Sequence, residues 1–222
     1  MAPPRDRVVI VDFGMGNLHS VHQALRHAGA DLPVDISISQ DPDTVRAADR
    51  VVLPGQGAMR DCMQHLQDTG MADAVRDIFG HQPLLGICVG LQMLLEHSAE
   101  HDCAGLGLLP GQAHRFDAAL TQEDGSRITV PQMGWNAVWQ HDDHPLWAGI
   151  PNGSPFYFLH SYYAMMARQD DIAGEADYGL RYCCALQHGS VFATQFHPEK
   201  SAAAGLRLLR NFLRWQPPAR AQ

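Results

Sequence analysis

The stretch from Pro83 to Gln92 places the strongest constraint on the fold of this chain. It reads PLLGICVGLQ: a short apolar run ends at Cys88, which lies between Gly86 and Gly90, and apolar residues at helical spacing follow. The pattern predicts a strand, a tight turn and a helix, because the glycines let the backbone fold sharply. The Cys88 thiol would then stand at a helix start, where free N–H groups and the helix dipole favour a nucleophilic thiolate. A cysteine in an apolar run is more often a packing residue, so catalysis also requires a base elsewhere in the chain.

The N-terminal half alternates apolar strands with amphipathic helices. Apolar runs typical of buried strands occupy residues 8–13, 34–38, 50–53 and 84–88, and helical patterns occupy residues 18–28, 59–67 and 71–79. A series of this kind predicts a mainly parallel central sheet flanked by helices, with right-handed crossovers and a site at the carboxyl ends of the strands.

After Ala104 the alternation of predicted strands and helices ends, and glycine, proline and aromatic residues become frequent. Short β patterns occupy residues 114–116, 127–130, 137–140, 156–160, 182–187 and 190–196, and a last helical pattern covers residues 202–215. We therefore expect an α/β fold with added antiparallel strands in the C-terminal half. A single domain over residues 1–222, with flexible ends at 1–6 and 216–222, is the simplest organisation.

Composition excludes several classes of protein. Five cysteines without regular spacing argue against a disulfide framework or a zinc finger, and they fit a reducing compartment. Neither a signal-peptide core nor an apolar run of membrane-spanning length is found, so we expect a cytoplasmic protein. A net charge of −8 without a basic cluster gives little support for nucleic-acid binding.

Three predicted strand ends carry the candidate site. The first is Cys88, and the second is the turn Pro54–Gly57, whose glycines can aim backbone N–H groups at a bound oxygen. The third is the segment QFHPEKS at residues 195–201. In an extended segment His197 and Glu199 would point to the same side, so that the carboxylate could orient the imidazole while the imidazole takes the thiol proton. Each motif alone is more often a turn, a loop histidine or a surface carboxylate, and only their combination favours catalysis.

With these motifs the chain resembles the class I (triad) glutamine amidotransferases. The resemblance covers nearly the whole chain and is carried by GICVGLQ around Cys88 and by FHPE around His197. Further strings are similar to the glutaminase subunits of imidazole glycerol phosphate synthases: DFGMGNL (12–18), PGQGAM (54–59), PQMGWN (131–136), FLHSY (158–162) and HPEKS (197–201). The resemblance implies a flavodoxin-like arrangement of the sheet, no cofactor and no metal.

It also implies roles for residues at matching positions. These are Cys88 as nucleophile, His197 as general base and acid and Glu199 as orienting carboxylate; Gln56 and Val89 in the oxyanion hole; Gly55, Gln92, Ser161 and Tyr162 in glutamine binding; and Asn17, Gln132 and Trp135 at a partner interface. The implied partner is a (β/α)8 cyclase subunit in a heterodimer. Ammonia from glutamine would pass to this subunit, which forms imidazole glycerol phosphate and AICAR in histidine biosynthesis.

Two alternatives stay open at this point. The chain could serve another synthase, of the anthranilate or aminodeoxychorismate type, or it could be a catalytically silent regulatory subunit. The chain also departs from the family pattern, because Gln56 stands where valine is usual and Gln132 where histidine is usual. We expect the isolated subunit to be nearly inactive, because the Gly55–Gly57 loop can turn its N–H groups away from the oxyanion position.

Other features are weaker. His97 and His101, four residues apart on a predicted helix, could both face a metal, but a solvated helix end is the better interpretation. Cys183 and Cys184 are expected to be packing residues of a strand. The aromatic residues Trp135, Tyr157 and Tyr162 fit a core or an exposed partner interface equally well.

Overall fold

The computed structural model describes residues 5–122 and 124–218, so the flexible ends predicted from sequence lie largely outside the described residues. The helices are α1 (Leu18–Ala28), α2 (Pro42–Arg46), α3 (Met59–Asp68), α4 (Met71–Ile78), α5 (Val89–Met93) and α6 (Ala202–Arg214). The strands are β1 (Asp6–Val11), β2 (Val34–Ser39), β3 (Arg50–Gly55), β4 (Leu84–Cys88), β5 (Leu95–Ser98), β6 (Cys103–Ala104), β7 (Leu109–Arg115), β8 (Gln132–Ala137), β9 (Trp139–Gln140), β10 (Pro155–His160), β11 (Tyr162–Met166), β12 (Ile172–Asp177), β13 (Arg181–His188) and β14 (Val191–Thr194).

Five parallel strands form the centre of the main sheet, in the order β2-β1-β3-β4-β14. Every residue of β3, β4 and β14 is buried, which explains why these strands read as continuous apolar runs without alternation. The predicted α/β class with a mainly parallel sheet is confirmed.

The C-terminal half extends this sheet with antiparallel strands. β14 pairs with β13, β13 with β11 and β11 with β7, and β8 and β10 form a separate two-stranded sheet. The hairpin predicted around His188 and Gly189 therefore joins the two parts of the sheet, because its second strand runs parallel to β4.

Several details of the predicted secondary structure were wrong. The helix after Cys88 is shorter than predicted and ends at Met93. The carbonyl groups of residues 93–95 accept hydrogen bonds from the backbone N–H groups of residues 106–109, so the helix does not continue. No strand forms over 127–130, where Arg127 makes an isolated bridge to Thr121. The strand predicted over 137–140 is instead divided between β8 and β9.

The helix ends have identifiable partners. The Asn17 side chain accepts a hydrogen bond from the Ser20 N–H at the start of α1. The buried Arg50 guanidinium donates to the carbonyl groups of Phe212 and Trp215 at the end of α6, where a cation is favourable. Within the described residues, no helix combines the length and apolarity that crossing a membrane requires. All five cysteines are free.

Buried His160 and partly buried His144 lead us to expect a loss of stability in mild acid. Burial lowers the pKa of His144 and of His160 from 6.5 to about 4. The unfolded chain takes up these protons near pH 6.5 and the folded protein only near pH 4, so the free energy of unfolding falls as the pH drops through this window. Urea unfolding over this pH range measures the effect. His144→Gln should weaken the pH dependence and the exposed His19→Gln should not; equal behaviour of the two variants would contradict the assignment.

Candidate active site

The three predicted strand ends meet at one edge of the sheet. β3, β4 and β14 are adjacent and parallel, and Gly55 lies directly opposite Cys88 in the strand register. The segment that carries His197 and Glu199 follows β14 on the other side of β4. Parallel strands end on the same side, so the topology brings the glycine turn, the thiol and the imidazole together.

Cys88 occupies a strained elbow between β4 and α5. Its φ of 56° and ψ of −111° are unusual for a residue with a side chain. The elbow depends on close backbone approach: a Cβ on Gly90 would lie 1.9 Å from the Leu53 carbonyl oxygen, and a Cβ on Gly55 would lie 2.7 Å from the Gly90 nitrogen. The two glycines are therefore required by packing at the site.

His197 and Glu199 form a buried pair beside Cys88. His197 Nδ1 is 2.8 Å from Glu199 Oε1, and the two side chains are 6% and 1% exposed. Burial alone would lower the pKa of the His197 imidazole, but hydrogen bonds to the Cys88 sulfur and the Glu199 carboxylate outweigh it and raise the pKa to about 10. At neutral pH the ring is therefore a cation.

The turn that follows β3 brings Gln56 and Gly57 to the lining of the same pocket. The Gln56 carbonyl faces away towards α3, where it accepts from Cys62 Sγ at 3.4 Å. Gly57 has a φ of +102°, and the backbone N–H groups of Gln56 and Gly57 lie in a turn that glycine leaves free to reorient. With the Val89 N–H, which lies at the start of α5, these groups can stabilise a developing oxyanion.

A pocket of about 250 Å³ opens over the thiol. Its lining comprises Gln56, Gly57, Cys88, Val89, Gln92, Glu100, Pro131, Leu159, His160, Ser161, Tyr162, His197 and Lys200. The predicted substrate-binding residues Gln92, Ser161 and Tyr162 are all in this lining, whereas Gly55 lies beneath it against the elbow.

Gln92 is held rigidly at the pocket floor. Its Nε2 donates to the Tyr162 carbonyl at 3.2 Å and to Gln195 Oε1 at 3.0 Å. Gln195 in turn directs its Nε2 to Cys88 Sγ at 3.7 Å. Because both amide hydrogens of Gln92 are used within the protein, its own side-chain oxygen remains as the acceptor for a ligand.

Sequence reasoning missed four residues at this site. Gln195 and His160 lie within quoted motifs without an assigned role, and Glu100 and Lys200 bring opposite charges to the pocket wall. Glu100 Oε2 is fixed by the Met59 N–H at 2.7 Å. No periodicity or motif marks Glu100, whose place is decided by the fold of the β5 region around the pocket.

The three predicted interface residues differ in exposure. Trp135 is 55% exposed on β8 and packs edge-on against Tyr157. Asn17 is partly buried and caps α1. Gln132 is buried, and its side chain meets the Tyr182 hydroxyl, so its predicted contact with a partner stays a prediction.

The structure also shows the positions of the histidines and cysteines for which the sequence predicted no catalytic or metal-binding role. His97 lies in β5 and His101 in a turn, so the predicted helix between them was wrong, and His97 Nε2 instead pairs with Asp102 at 2.8 Å. Cys183 and Cys184 are buried in β13. No group of three metal-ligating side chains occurs within the described part of the chain.

Comparisons with known proteins agree with this architecture. Residues 9–215 match the family model for class-I glutamine amidotransferases. The imidazole glycerol phosphate synthase subunit HisH of Methylococcus capsulatus is 52% identical over 95% of this chain and 97% of its own length. The HisH subunit of Aromatoleum aromaticum is 50% identical over 95% of this chain and 99% of its own length. A solved structure of a putative GMP synthase component from Thermoplasma acidophilum is similar in fold, with a TM-score of 0.70, 22% identity and coverage of 96% and 94%.

Proposed function

Since the chain belongs to the class-I glutamine amidotransferase family, and within it to the HisH subunits of imidazole glycerol phosphate synthase, we propose that it hydrolyses glutamine through Cys88, His197 and Glu199. The products are glutamate and ammonia. The observation that carries the proposal is the juxtaposition of a strained cysteine with a buried His197–Glu199 pair at one sheet edge.

In the proposed reaction His197 takes the proton of the Cys88 thiol. The Cys88 thiolate attacks the side-chain amide carbon of glutamine, and the carbonyl oxygen becomes an oxyanion that accepts hydrogen bonds from Val89 and from the Gln56–Gly57 turn. The C–N bond breaks as His197 gives its proton to the leaving nitrogen, which departs as ammonia. His197 then takes a proton from water, which attacks the γ-glutamyl thioester and restores the thiol.

The pocket wall fits the α-carbon end of glutamine, which carries an ammonium and a carboxylate. Glu100 offers a carboxylate for the ammonium. The Phe116 N–H donates to the Ser161 carbonyl. Hydrogen-bonded and non-bonded pairs alternate along antiparallel strands, so the next residue, Tyr162, forms no backbone hydrogen bond with β7. Because its carbonyl already accepts from Gln92 and His160, its N–H is the group left to hold the substrate carboxylate.

The name of the relatives implies a second subunit, and we assign this role to a (β/α)8 cyclase that receives the ammonia. The face around β8 suits such a partner, because Met133 and Trp135 are 64% and 55% exposed on neighbouring outward positions. Asn17 lies at the pocket-side start of α1 and extends the assigned interface. The cytoplasmic location expected from the sequence stays a prediction.

The decisive experiment is glutamine hydrolysis by the purified chain, alone and with the cyclase subunit and its nucleotide ligand. We expect little hydrolysis by the chain alone and a large rise in the mixture, which Cys88→Ser should remove. No rise with this cyclase would leave a glutaminase of another synthase. Absence of hydrolysis under every condition would favour the silent regulatory subunit instead.

Replacement of Glu199 by glutamine tests the third member of the triad. Loss of its charge removes one of the two contacts that raise the pKa of His197, and it disturbs the ring orientation. We expect kcat to fall about 10³-fold, with KM for glutamine little changed. Glu175→Gln is a matched control, because Glu175 holds His141 at 2.6 Å in the same kind of pair outside the pocket. An equal loss in both variants would contradict a specific role for Glu199.

A further inference from the structure

A short chain of polar side chains is buried beneath the pocket. Gln132, His160 and Tyr182 are 3%, 7% and 3% exposed. Gln132 on β8 lies directly opposite His160 at the end of β10, and Tyr182 on β13 contacts both. Buried polar groups without partners are costly, so the donors and acceptors of this chain must match.

The protonation of His160 follows from its contacts. Nδ1 is 2.7 Å from the Tyr162 carbonyl, which can only accept, so Nδ1 carries a proton. Burial lowers the pKa of the ring to about 4, and the ring is therefore neutral at neutral pH. Its Nε2 is then a lone pair that needs a donor. Within the described residues the Tyr182 hydroxyl, at 3.3 Å, is the one group that can supply it.

Tyr182 has a single proton and two neighbours. Its oxygen is 2.8 Å from Gln132 Oε1 and 3.3 Å from His160 Nε2. With the amide oxygen facing Tyr182 in this way, the hydroxyl donates to Gln132 and His160 Nε2 is left without a donor. If the Gln132 NH2 group faces Tyr182 instead, Gln132 donates to Tyr182 and Tyr182 donates to His160, and every contact is satisfied. The two orientations of a side-chain amide have the same shape, so the hydrogen-bond network decides between them.

We propose that Gln132, Tyr182 and His160 form a directional hydrogen-bond relay that runs from β8 to the Tyr162 carbonyl and positions the backbone that holds the substrate. The three side chains are positioning residues. Phe116 packs against the rings of both His160 and Tyr182, with ring centroids 5.5 and 5.3 Å away.

The relay gives β8 a physical connection to the pocket. Met133 and Trp135 on the same strand are exposed, whereas Gln132 points inwards. The Tyr162 carbonyl at the other end is shared with Gln92. A shift of β8 would therefore displace Tyr162 and Gln92, which both line the substrate pocket. This functional consequence rests on the proposed glutaminase activity, whereas the direction of the relay does not.

Nitrogen NMR of the full chain tests the direction without any activity. In Tyr182→Phe, His160 Nε2 should lose its donor, and its resonance should move downfield. In Gln132→Met, which has a similar shape, the resonance should stay in place, because Tyr182 still donates to His160. The opposite amide orientation predicts the reverse: no change in Tyr182→Phe and an upfield change in Gln132→Met. That pattern would overturn the proposal, and His160→Gln assigns the resonance.

Kinetics of the complex with the cyclase subunit test the consequence. Loss of one hydrogen bond that fixes His160 should raise KM for glutamine about five-fold in Tyr182→Phe and leave kcat within about two-fold. Tyr178→Phe is the matched control, because Tyr178 also packs on Phe116 but bonds to Thr129. Equal KM values in the two variants would overturn the positioning role. If the wild type itself fails to hydrolyse glutamine, the proposed function fails, and the NMR result still decides the relay.

Discussion

Replacing Cys88 by alanine is expected to lower kcat for glutamine hydrolysis by at least about 10⁴-fold in the complex with the cyclase subunit. Without the sulfur no γ-glutamyl thioester forms, and the remaining groups can only orient water and polarise the amide. The loss should appear in kcat, because Gln92, Glu100 and Tyr162 still line the pocket. Initial rates of glutamate release over a range of glutamine concentrations measure it.

Two controls separate chemistry from folding. Cys184→Ala removes an equally buried thiol from β13, far from the elbow in the chain, and should leave kcat within about two-fold. Ammonium salts supplied directly to the complex of the cyclase subunit with Cys88→Ala should still support synthesis. Residual hydrolysis by Cys88→Ala near the wild-type rate would show that another group is the nucleophile.

Gly90→Ala should destabilise the folded chain by at least about 3 kcal/mol, which is among the largest effects we expect from adding one methyl group. Its Cβ would lie 1.9 Å from the Leu53 carbonyl oxygen, a backbone atom that cannot move aside as a flexible side chain can. Either β3 moves away from α5 or the elbow opens, and both displace Cys88. Urea unfolding gives the change in free energy, and the rate of Cys88 alkylation reports the elbow.

Gly125→Ala is the appropriate control for this substitution. Gly125 has a φ of 80°, and within residues 5–122 and 124–218 no atom lies within 4 Å of an added Cβ, so only backbone strain of about 1 kcal/mol is expected. If Gly90→Ala were no worse than Gly125→Ala, the close packing of the elbow would not be what requires glycine at position 90.

Much of the site could be predicted from local sequence. The glycines two residues before and after Cys88 predict a sharp turn of the backbone, and the apolar runs in this half of the chain predict buried strands. In a parallel sheet the carboxyl ends of strands share one edge, so motifs that follow strands converge. This is why the sequence predicts that Cys88, His197 and Glu199 lie together, although 109 positions separate Cys88 from His197 in the chain.

Other features depended on contacts between distant segments. Local pattern favours a longer helix after Met93, but hydrogen bonds from residues 106–109 capture the carbonyl groups and end it. Similarly, nothing near Gln132 in the sequence indicates that it is buried against Tyr182. Burial and polar pairing are decided by which strands become neighbours, and a local pattern does not contain that information.

The sequence by itself determined the α/β class and the sharp turn at Cys88, because both follow from local patterns of apolar residues and glycines. It also predicted that the proposed triad of Cys88, His197 and Glu199 lies at the ends of two strands. Only the tertiary structure decided the place of Glu100 in the pocket wall, the contact of buried Gln195 with Gln92, the inward direction of Gln132 and the raised pKa of His197. These properties arise from groups far apart in the chain that share a water-excluded space. In such a space, leaving a hydrogen-bond donor or a charge without a partner costs free energy, so one arrangement of the side chains is favoured.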